Sequence, residues 1–381
     1  MKKLAIVVTH PIQYYVPVFQ QLSKLLTLKV FYTEGEQAIN KYDQGFKQHI
    51  DWDIPLLSGY EFEFLKNIAP YPGSGHFLGI INTTAIQTIQ QFQPTALLIY
   101  GWANASHLNL IRFFHNKVKV IFRGDSRLIA GESWLKGRVK TVLLNWVYNR
   151  VNTALYVGSL NKEYFKVYGP SKIHLAFAPH AIDNARFQKD HDPESRKLRR
   201  SLGIRPTEIL VLFAGKHTQI KDPSILLQAF CALRITNVHL LFVGSGPLTS
   251  SLQSDVKAQR ASEYVHFLPF QNQSRMPVIY NCCDLFCMPT QNPGETWGLA
   301  VNEAMAAGKA ILCSDEVGAA KDLVDDRNGA IFKAKDLTDL KEKLKALLKS
   351  KPVLAALGRC SAQKVNSWSL EKQVEQIFEH V

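Results

Sequence analysis

A chain of 381 residues is long for one domain and comfortable for two of roughly 150 to 200 residues each. With 46% hydrophobic and 20% charged residues and no low-complexity tract it reads as globular and ordered, and no apolar run approaches the roughly 20 residues of a membrane span. The net charge is +13 and residues 1–170 carry 18 basic against 10 acidic side chains, a balance that favours an anionic partner such as a membrane surface, nucleic acid or a phosphorylated acceptor without choosing among them.

The chain opens MKKLAIVVTHPIQYY. The apolar run Leu4–Val8 is too short for a signal sequence and reads as a first β-strand, which predicts a cytoplasmic protein. Residues 1–170 then alternate short apolar runs with helical stretches, the pattern of a doubly wound parallel sheet. Strands are predicted at Leu4–Thr9, Leu28–Tyr32, Ala96–Tyr100, Val118–Phe122 and Thr153–Val157, with a helix from Val16 to Leu26. His10 sits at the carboxyl end of the first strand, where open α/β sheets bind ligands; it reads as facing a cleft or as a structural histidine. Residues 33–80 are aromatic-rich and irregular, with a loop at Pro70–His76. Two strand ends carry polar groups: Tyr100-Gly101-Trp102, with His107 beyond it, and Arg123-Gly124-Asp125, where a turn capped by Asp125 with Arg123 paired locally is the structural reading. Residues 134–151, WLKGRVKTVLLNWVYNRV, place Lys136, Arg138, Lys140 and Arg150 around an apolar stripe; the pattern fits an anionic membrane surface or a helix packed on its sheet with a solvated basic face. The charged run Lys189–Arg200 marks a domain boundary near 185, expected to act as a hinge.

The second half opens with a strand at Glu208–Ala214, a loop holding Gly215, Lys216 and Lys221, and a helix over 223–233. Two lysines between a strand and a helix start suit phosphate, against the plain alternative of solvated side chains. A strand at His239–Val243 ends in Gly244-Ser245-Gly246-Pro247, a weak signal because a third glycine is missing. Strands follow at Val265–Pro269 and Leu285–Pro289. All six cysteines lie after residue 230 without zinc-ligand spacing and read as reduced, buried thiols. The most informative stretch is PGETWGLAVNEAMAAGKAILCSDEVGAAKDL, residues 293–323. A glycine-containing loop feeds backbone amides into a helix start, Glu295 stands in the loop, and Glu303 stands eight positions on in the helix. A ligand with phosphates near the helix start and hydroxyls within reach of each carboxylate is implied, and a nucleotide sugar fits. Residues 336–349 and 368–381 read as helices.

This stretch resembles the signature of the retaining glycosyltransferases of the glycogen-synthase-like superfamily, glycosyltransferase family 4: Glu, seven residues, Glu, then an EAMAxGxPVI-like run, with Lys309 here in place of Pro. Phe177–Asp183 resembles the family's PNGVD linker with His-Ala for Asn-Gly, and Lys221 matches a family lysine while Lys216 stands where Arg is usual. The resemblance is specific over 177–332 and weak over 10–150. It implies an α/β protein with two Rossmann-like doubly wound domains facing across a cleft, the GT-B architecture. An acceptor-binding domain would span 1–185, a donor-binding domain 186–366, and a terminal helix, 367–381, would cross back to the first. It implies that Glu303 binds the donor's ribose hydroxyls and Glu295 its sugar hydroxyls. The amides of Thr296, Trp297, Gly298 and Leu299, with Lys216 and Lys221, would hold the diphosphate, and the turns at Gly215, Gly244 and Gly246 would line the nucleotide. The first turn lacks the glycine-rich loop that relatives often carry. Relatives often place a histidine where Arg123-Gly124-Asp125 stands, so Arg123 and Asp125 join His10 and Trp102 as candidates for acceptor or sugar contact.

The expected activity is transfer of a sugar with retention from a nucleotide-diphosphate sugar, UDP- or GDP-linked, to a glycan or lipid-linked glycan in bacterial surface-polysaccharide assembly. No cofactor and no metal are expected: the one Asp-x-Asp, Asp51-Trp52-Asp53, lies in the irregular segment. Peripheral attachment to the inner face of the cytoplasmic membrane is compatible with this. The rival readings are a DNA-modifying glucosyltransferase, which +13 would suit, a non-catalytic carbohydrate-binding protein of the same fold, and a two-lobed epimerase or phosphorylase.

Overall fold

The computed structural model describes residues 2–39, 42–129 and 134–381. Apolar runs such as KLAIVV, ALLIY, ILVLFA and VHLLFV are buried almost throughout, as central parallel strands covered on both faces must be. In chain order the strands are β1 (Lys3–Val8), β2 (Thr27–Tyr32), β3 (Tyr42–Asp43), β4 (Gln48–His49), β5 (Glu61–Phe64), β6 (Ala96–Tyr100), β7 (Lys119–Arg123), β8 (Thr153–Tyr156), β9 (His174–Phe177), β10 (Ile209–Ala214), β11 (Val238–Val243), β12 (Val265–Leu268), β13 (Leu285–Met288), β14 (Ala310–Ser314) and β15 (Gly329–Phe332).

The chain divides into two compact units. Unit 1 comprises Met1–Lys41, Pro55–His180 and Leu370–Val381; unit 2 comprises Tyr42–Ile54 and Ala181–Ser369. Unit 1 is built on a seven-stranded parallel sheet in the order β5-β2-β1-β6-β7-β8-β9. Its core gathers Ala5, Val7, Phe31, Leu97, Ile99 and Phe122 under the helices. The terminal helix Leu370–Glu379 buries Leu370, Val374 and Ile377, one turn apart, and packs on helix Val16–Ser23 of the same unit. Unit 2 is built on a six-stranded parallel sheet in the order β12-β11-β10-β13-β14-β15, with Leu212 registered between Leu241 and Phe286. Both orders reverse direction beside the first strand, so each sheet is a doubly wound, Rossmann-like one with a switch point, between β1 and β6 and between β10 and β13.

Of the strands absent from the sequence-based expectation, β5 and β9 form the two edges of the first sheet. The stretch 33–80 contains β5, an edge strand whose Glu63 meets the Lys29 ammonium of β2 at 2.9 Å; four residues with two acids give too little apolar signal to read. Strand β9 precedes the linker at Ala178 and completes the first sheet. The hairpin β3–β4 groups with unit 2, although its neighbours in sequence on both sides belong to unit 1.

Candidate functional site

In unit 2 the switch point is flanked by two loops, 215–222 after β10 and 289–298 after β13. The ammonium of Lys221 forms an ion pair with the carboxylate of Glu295, tying the loops together, and both side chains are more than three-quarters buried. Lys216 is paired as well, at 2.8 Å from Asp43. Burial raises the Asp43 carboxyl, but Lys216 and the amides of Phe46 and Gly45 outweigh it and hold it below the usual range. The turn after β11 lies against the turn after β10: a Cβ on Gly244, whose φ is +129°, would stand 2.1 Å from the Gly215 carbonyl oxygen. A Cβ on Gly246 would stand 2.6 Å from the His217 carbonyl oxygen. These contacts require glycine on steric grounds.

The loop 289–298 ends at Gly298, with φ +98°, and helix Leu299–Ala306 starts with no side-chain cap. The Val301 amide closes back on the Gly298 carbonyl at 2.9 Å, and the amides before it are the ones such a helix start can offer an anion. The Trp297 ring is buried and its Nε1 donates to Asn302 at 2.9 Å, so its side chain braces the turn while the backbone remains the candidate contact. Glu303 is buried in the same helix and accepts a hydrogen bond from the Tyr280 hydroxyl at 2.8 Å. His217, not singled out from the sequence, is a fully buried member of the lysine loop; its Nδ1 meets the Thr249 hydroxyl at 2.9 Å, and burial pushes its pKa down to about 4. The thiols of Cys282, Cys283, Cys287 and Cys313 are buried and unbridged, and burial raises their pKa values.

In unit 1 the switch point opens into a pocket of about 190 Å³ lined by Thr9, Tyr15, Tyr100, Arg123, Asp125 and His180, among others. The Arg123 guanidinium is buried and donates to the carbonyls of Ala178 at 2.7 Å and Pro179 at 2.9 Å, so it holds the end of β9 in place. Asp125 stands more open, with His180 Nε2 at 3.9 Å; burial lowers the His180 pKa and Asp125 opposes it. His180 is the residue that sequence reasoning assigned to a linker; only the strand before it places it at a strand end. His10 Nδ1 lies 2.9 Å from the Thr9 hydroxyl and 3.4 Å from the buried carboxylate of Glu34. Trp102 lines a second pocket of about 160 Å³, with Asp125, Tyr148 and Tyr164. His107 is fully buried, meets the Thr33 hydroxyl at 2.8 Å and the carbonyls of Tyr100 and Gly101, and burial pushes its pKa down to about 4. The candidates thus fall into two sets, one per unit.

Residues 194–364 match the family described as Glycosyl transferases group 1. The D-inositol 3-phosphate glycosyltransferase of Nocardia farcinica is 28% identical over 229 residues, 57% of this chain and 49% of that protein. The enzyme of the same name from Mycolicibacterium smegmatis is 30% identical over 193 residues, 49% of this chain and 43% of that protein. The chain therefore spans under half the length of these curated relatives. Among solved structures, Anabaena HepE in complex with UDP and glucose superposes with a TM-score of 0.73 at 15% identity, covering 100% of this chain and 99% of that one. Sucrose-phosphate synthase from Thermosynechococcus elongatus superposes with a TM-score of 0.75 at 15% identity, covering 100% and 98%. At such identities the likeness is one of fold. Residues 194–364 are thus similar to the glycosyltransferase group 1 domain, in a chain that has the two Rossmann-like domains of the GT-B fold.

Proposed function

We propose that the protein is a retaining glycosyltransferase that moves a sugar from a nucleotide-diphosphate sugar to an acceptor hydroxyl in surface-polysaccharide or glycolipid assembly. The observation that carries this reading is the Lys221–Glu295 pair at the switch point of unit 2, beside an uncapped helix start. A donor diphosphate there exchanges with the ion pair: its oxygens take the ammoniums of Lys221 and Lys216 and the amides of 296–299, while Glu295 accepts from sugar hydroxyls. Glu303, one helical stretch further in, is assigned to the ribose. As the bond between anomeric carbon and phosphate oxygen breaks, the lysines and amides stabilise the charge that develops on the leaving diphosphate, an electrostatic strategy that asks no metal ion of the protein. The acceptor hydroxyl attacks from the same face, and its proton passes to the departing phosphate oxygen. A nucleotide-sugar donor is also supported by HepE, which shares the fold and is described in complex with UDP and glucose. Asp125, His180 and His10 in unit 1 are assigned to the acceptor side.

The test is a thermal-shift screen with UDP, GDP, ADP and their common sugars, repeated on Glu303→Ala and Lys221→Ala. The expected result is stabilisation by one nucleotide that is lost in both variants. No shift with any nucleotide sinks the donor assignment, and donor binding without turnover on any acceptor favours a carbohydrate-binding protein of the same fold.

A lipid-linked acceptor is favoured by one surface. Among the described residues no helix is long and apolar enough to cross a membrane. Helix Trp134–Tyr148, however, leaves Val139, Val142, Leu143 and Trp146 exposed, Val139 and Val142 by 71% and 72%, at one-turn spacing. No acidic residue lies between 134 and 150, and the Arg150 guanidinium stacks 3.8 Å from the Trp146 ring. The side chains of Trp134, Leu135 and Lys136 lie outside the described residues. This face is assigned to an anionic membrane surface. Sedimentation with phosphatidylglycerol vesicles but not phosphatidylcholine vesicles, lost in Val142→Asp, is expected; equal recovery in the supernatant with both vesicles overturns it.

A further inference from the structure

Segment 42–54 departs from unit 1 and groups with unit 2. It is fastened along the loops that follow β10, β11 and β12 in turn. The Asp43 carboxylate takes the Lys216 ammonium at 2.8 Å, and the same ammonium lies 5.2 Å from the Phe46 ring centroid. The Ser245 hydroxyl, in the turn after β11, donates to the Phe46 carbonyl at 3.0 Å. Beyond β12, the Phe270 ring meets the Phe46 ring edge-on at 4.9 Å and the Trp52 ring at 6.2 Å, and Ser274 donates its amide to Asp53 at 3.1 Å. The strand carboxyl ends of half the sheet are therefore spanned by a segment that comes from elsewhere in the sequence. Asp43 is also preorganised as an anion: its second oxygen accepts the amides of Gly45 at 2.8 Å and Phe46 at 3.0 Å.

We propose that segment 42–54 is a strap over the nucleotide loops, and that Asp43 sets donor affinity by occupying Lys216 as an internal counter-anion that a donor diphosphate must displace. The inference rests on the donor assignment made above for Lys216. A carboxylate and a phosphate cannot share one ammonium closely without mutual repulsion, so binding of the diphosphate and retention of the Asp43 contact oppose one another. The strap ties the two ends of the competition together: when Asp43 leaves, the backbone contact at Ser245 and the aromatic contact at Phe270 lose their anchor, and the loops after β11 and β12 open to the nucleoside. Such a contact would also keep Lys216 from binding stray anions in the absence of donor.

The test uses the full chain, with UDP, GDP and ADP titrated calorimetrically into wild type and Asp43→Asn. Asparagine keeps the acceptor oxygen that faces Gly45 and Phe46 and removes the charge. The expected result is a dissociation constant lower by about two- to fivefold in Asp43→Asn, the range that a partly exposed ion pair supports. In wild type, saturating nucleotide is expected to speed amide hydrogen exchange within 42–50. Unchanged or weaker binding by Asp43→Asn, or protection of 42–50 on binding, overturns the strap while leaving the donor assignment intact. Failure of every nucleotide to bind either form overturns both.

Discussion

The two sheets share one strand order up to the sixth strand, yet their switch points are furnished differently. At the unit 2 switch point the cations are held by carboxylates: Lys221 by Glu295 and Lys216 by Asp43. In such a pair another anion can take the place of the carboxylate. At the unit 1 switch point the cation is spent on the backbone, with Arg123 locked onto the Ala178 and Pro179 carbonyls, and the pocket's other polar side chains are Asp125, His180 and the hydroxyls of Thr9, Tyr15 and Tyr100. The same scaffold thus offers exchangeable charge in one unit and a fixed frame with a small polar pocket in the other. A lysine whose partner can leave is suited to a charged ligand, and an arginine that orders two carbonyls is suited to shaping a neutral one.

The contrast is broken most sharply at Lys221. Lys221→Ala is expected to lower the transfer rate by roughly 10²- to 10³-fold, the loss typical of one preorganised group on developing charge. Steady-state kinetics with the donor identified by the nucleotide screen would measure it, and a loss below fivefold would remove Lys221 from the leaving-group role. Arg123→Ala is the counterpart in unit 1. It orphans two buried carbonyls and is expected to cost about 2 to 4 kcal/mol in urea unfolding, with nucleotide binding by unit 2 retained. Arg123→Lys should rescue little of it, because an ammonium cannot fork between two carbonyls. A stable Arg123→Ala protein that has lost activity would reverse the comparison and make Arg123 a ligand contact.

Acid sharpens the comparison further. His107 titrates at about 4 in the folded chain against 6.5 when unperturbed, so between those values the unfolded chain binds the extra proton. Stability is therefore full above about pH 6.5, falls as the pH drops toward 4, and loses up to about 3 kcal/mol from this group. Urea midpoints at pH 4.5 and pH 7 should lie closer together in His107→Gln than in wild type. An unchanged gap would place the acid sensitivity of the protein elsewhere, with His217 and His266, which burial also holds near 4, the next residues to replace.

Much of unit 2 is legible in the sequence. The apolar runs placed β10, β11, β12 and β13 to within a residue or so, and the eight-residue step from Glu295 to Glu303 marked the loop and helix at the switch point. What pattern could not carry was the partner of each charge. Asp43 reaches Lys216 across 173 residues, and no local period encodes such a pairing. The same limit applied in unit 1. Arg123 reads as a strand-end cation, and only the course of the chain through Ala178 and Pro179 shows that its donors are already committed. His180 was hidden for a related reason: β9 is four residues long and begins with a histidine, so the strand that positions it gives almost no apolar signal.

The smallest expected effect concerns how the lysine loop is aimed. Asp222 follows Lys221 and precedes Pro223, with φ +45° and a side chain that accepts the Ile225 amide at 3.3 Å, capping helix Pro223–Leu233. It does two jobs, and two substitutions separate them. Asp222→Gly removes the cap but suits the left-handed backbone, and should stay within about 0.5 kcal/mol of wild type. Asp222→Ala removes the cap and disfavours that backbone, and should cost about 1 to 2 kcal/mol. If the left-handed turn aims Lys221 across at Glu295, nucleotide affinity should fall in the alanine variant and hold in the glycine variant. Equal melting and equal affinity in the two would mean that the loop relaxes freely at 222, and that Lys221 is placed by its ion pair with Glu295 and not by the backbone that carries it.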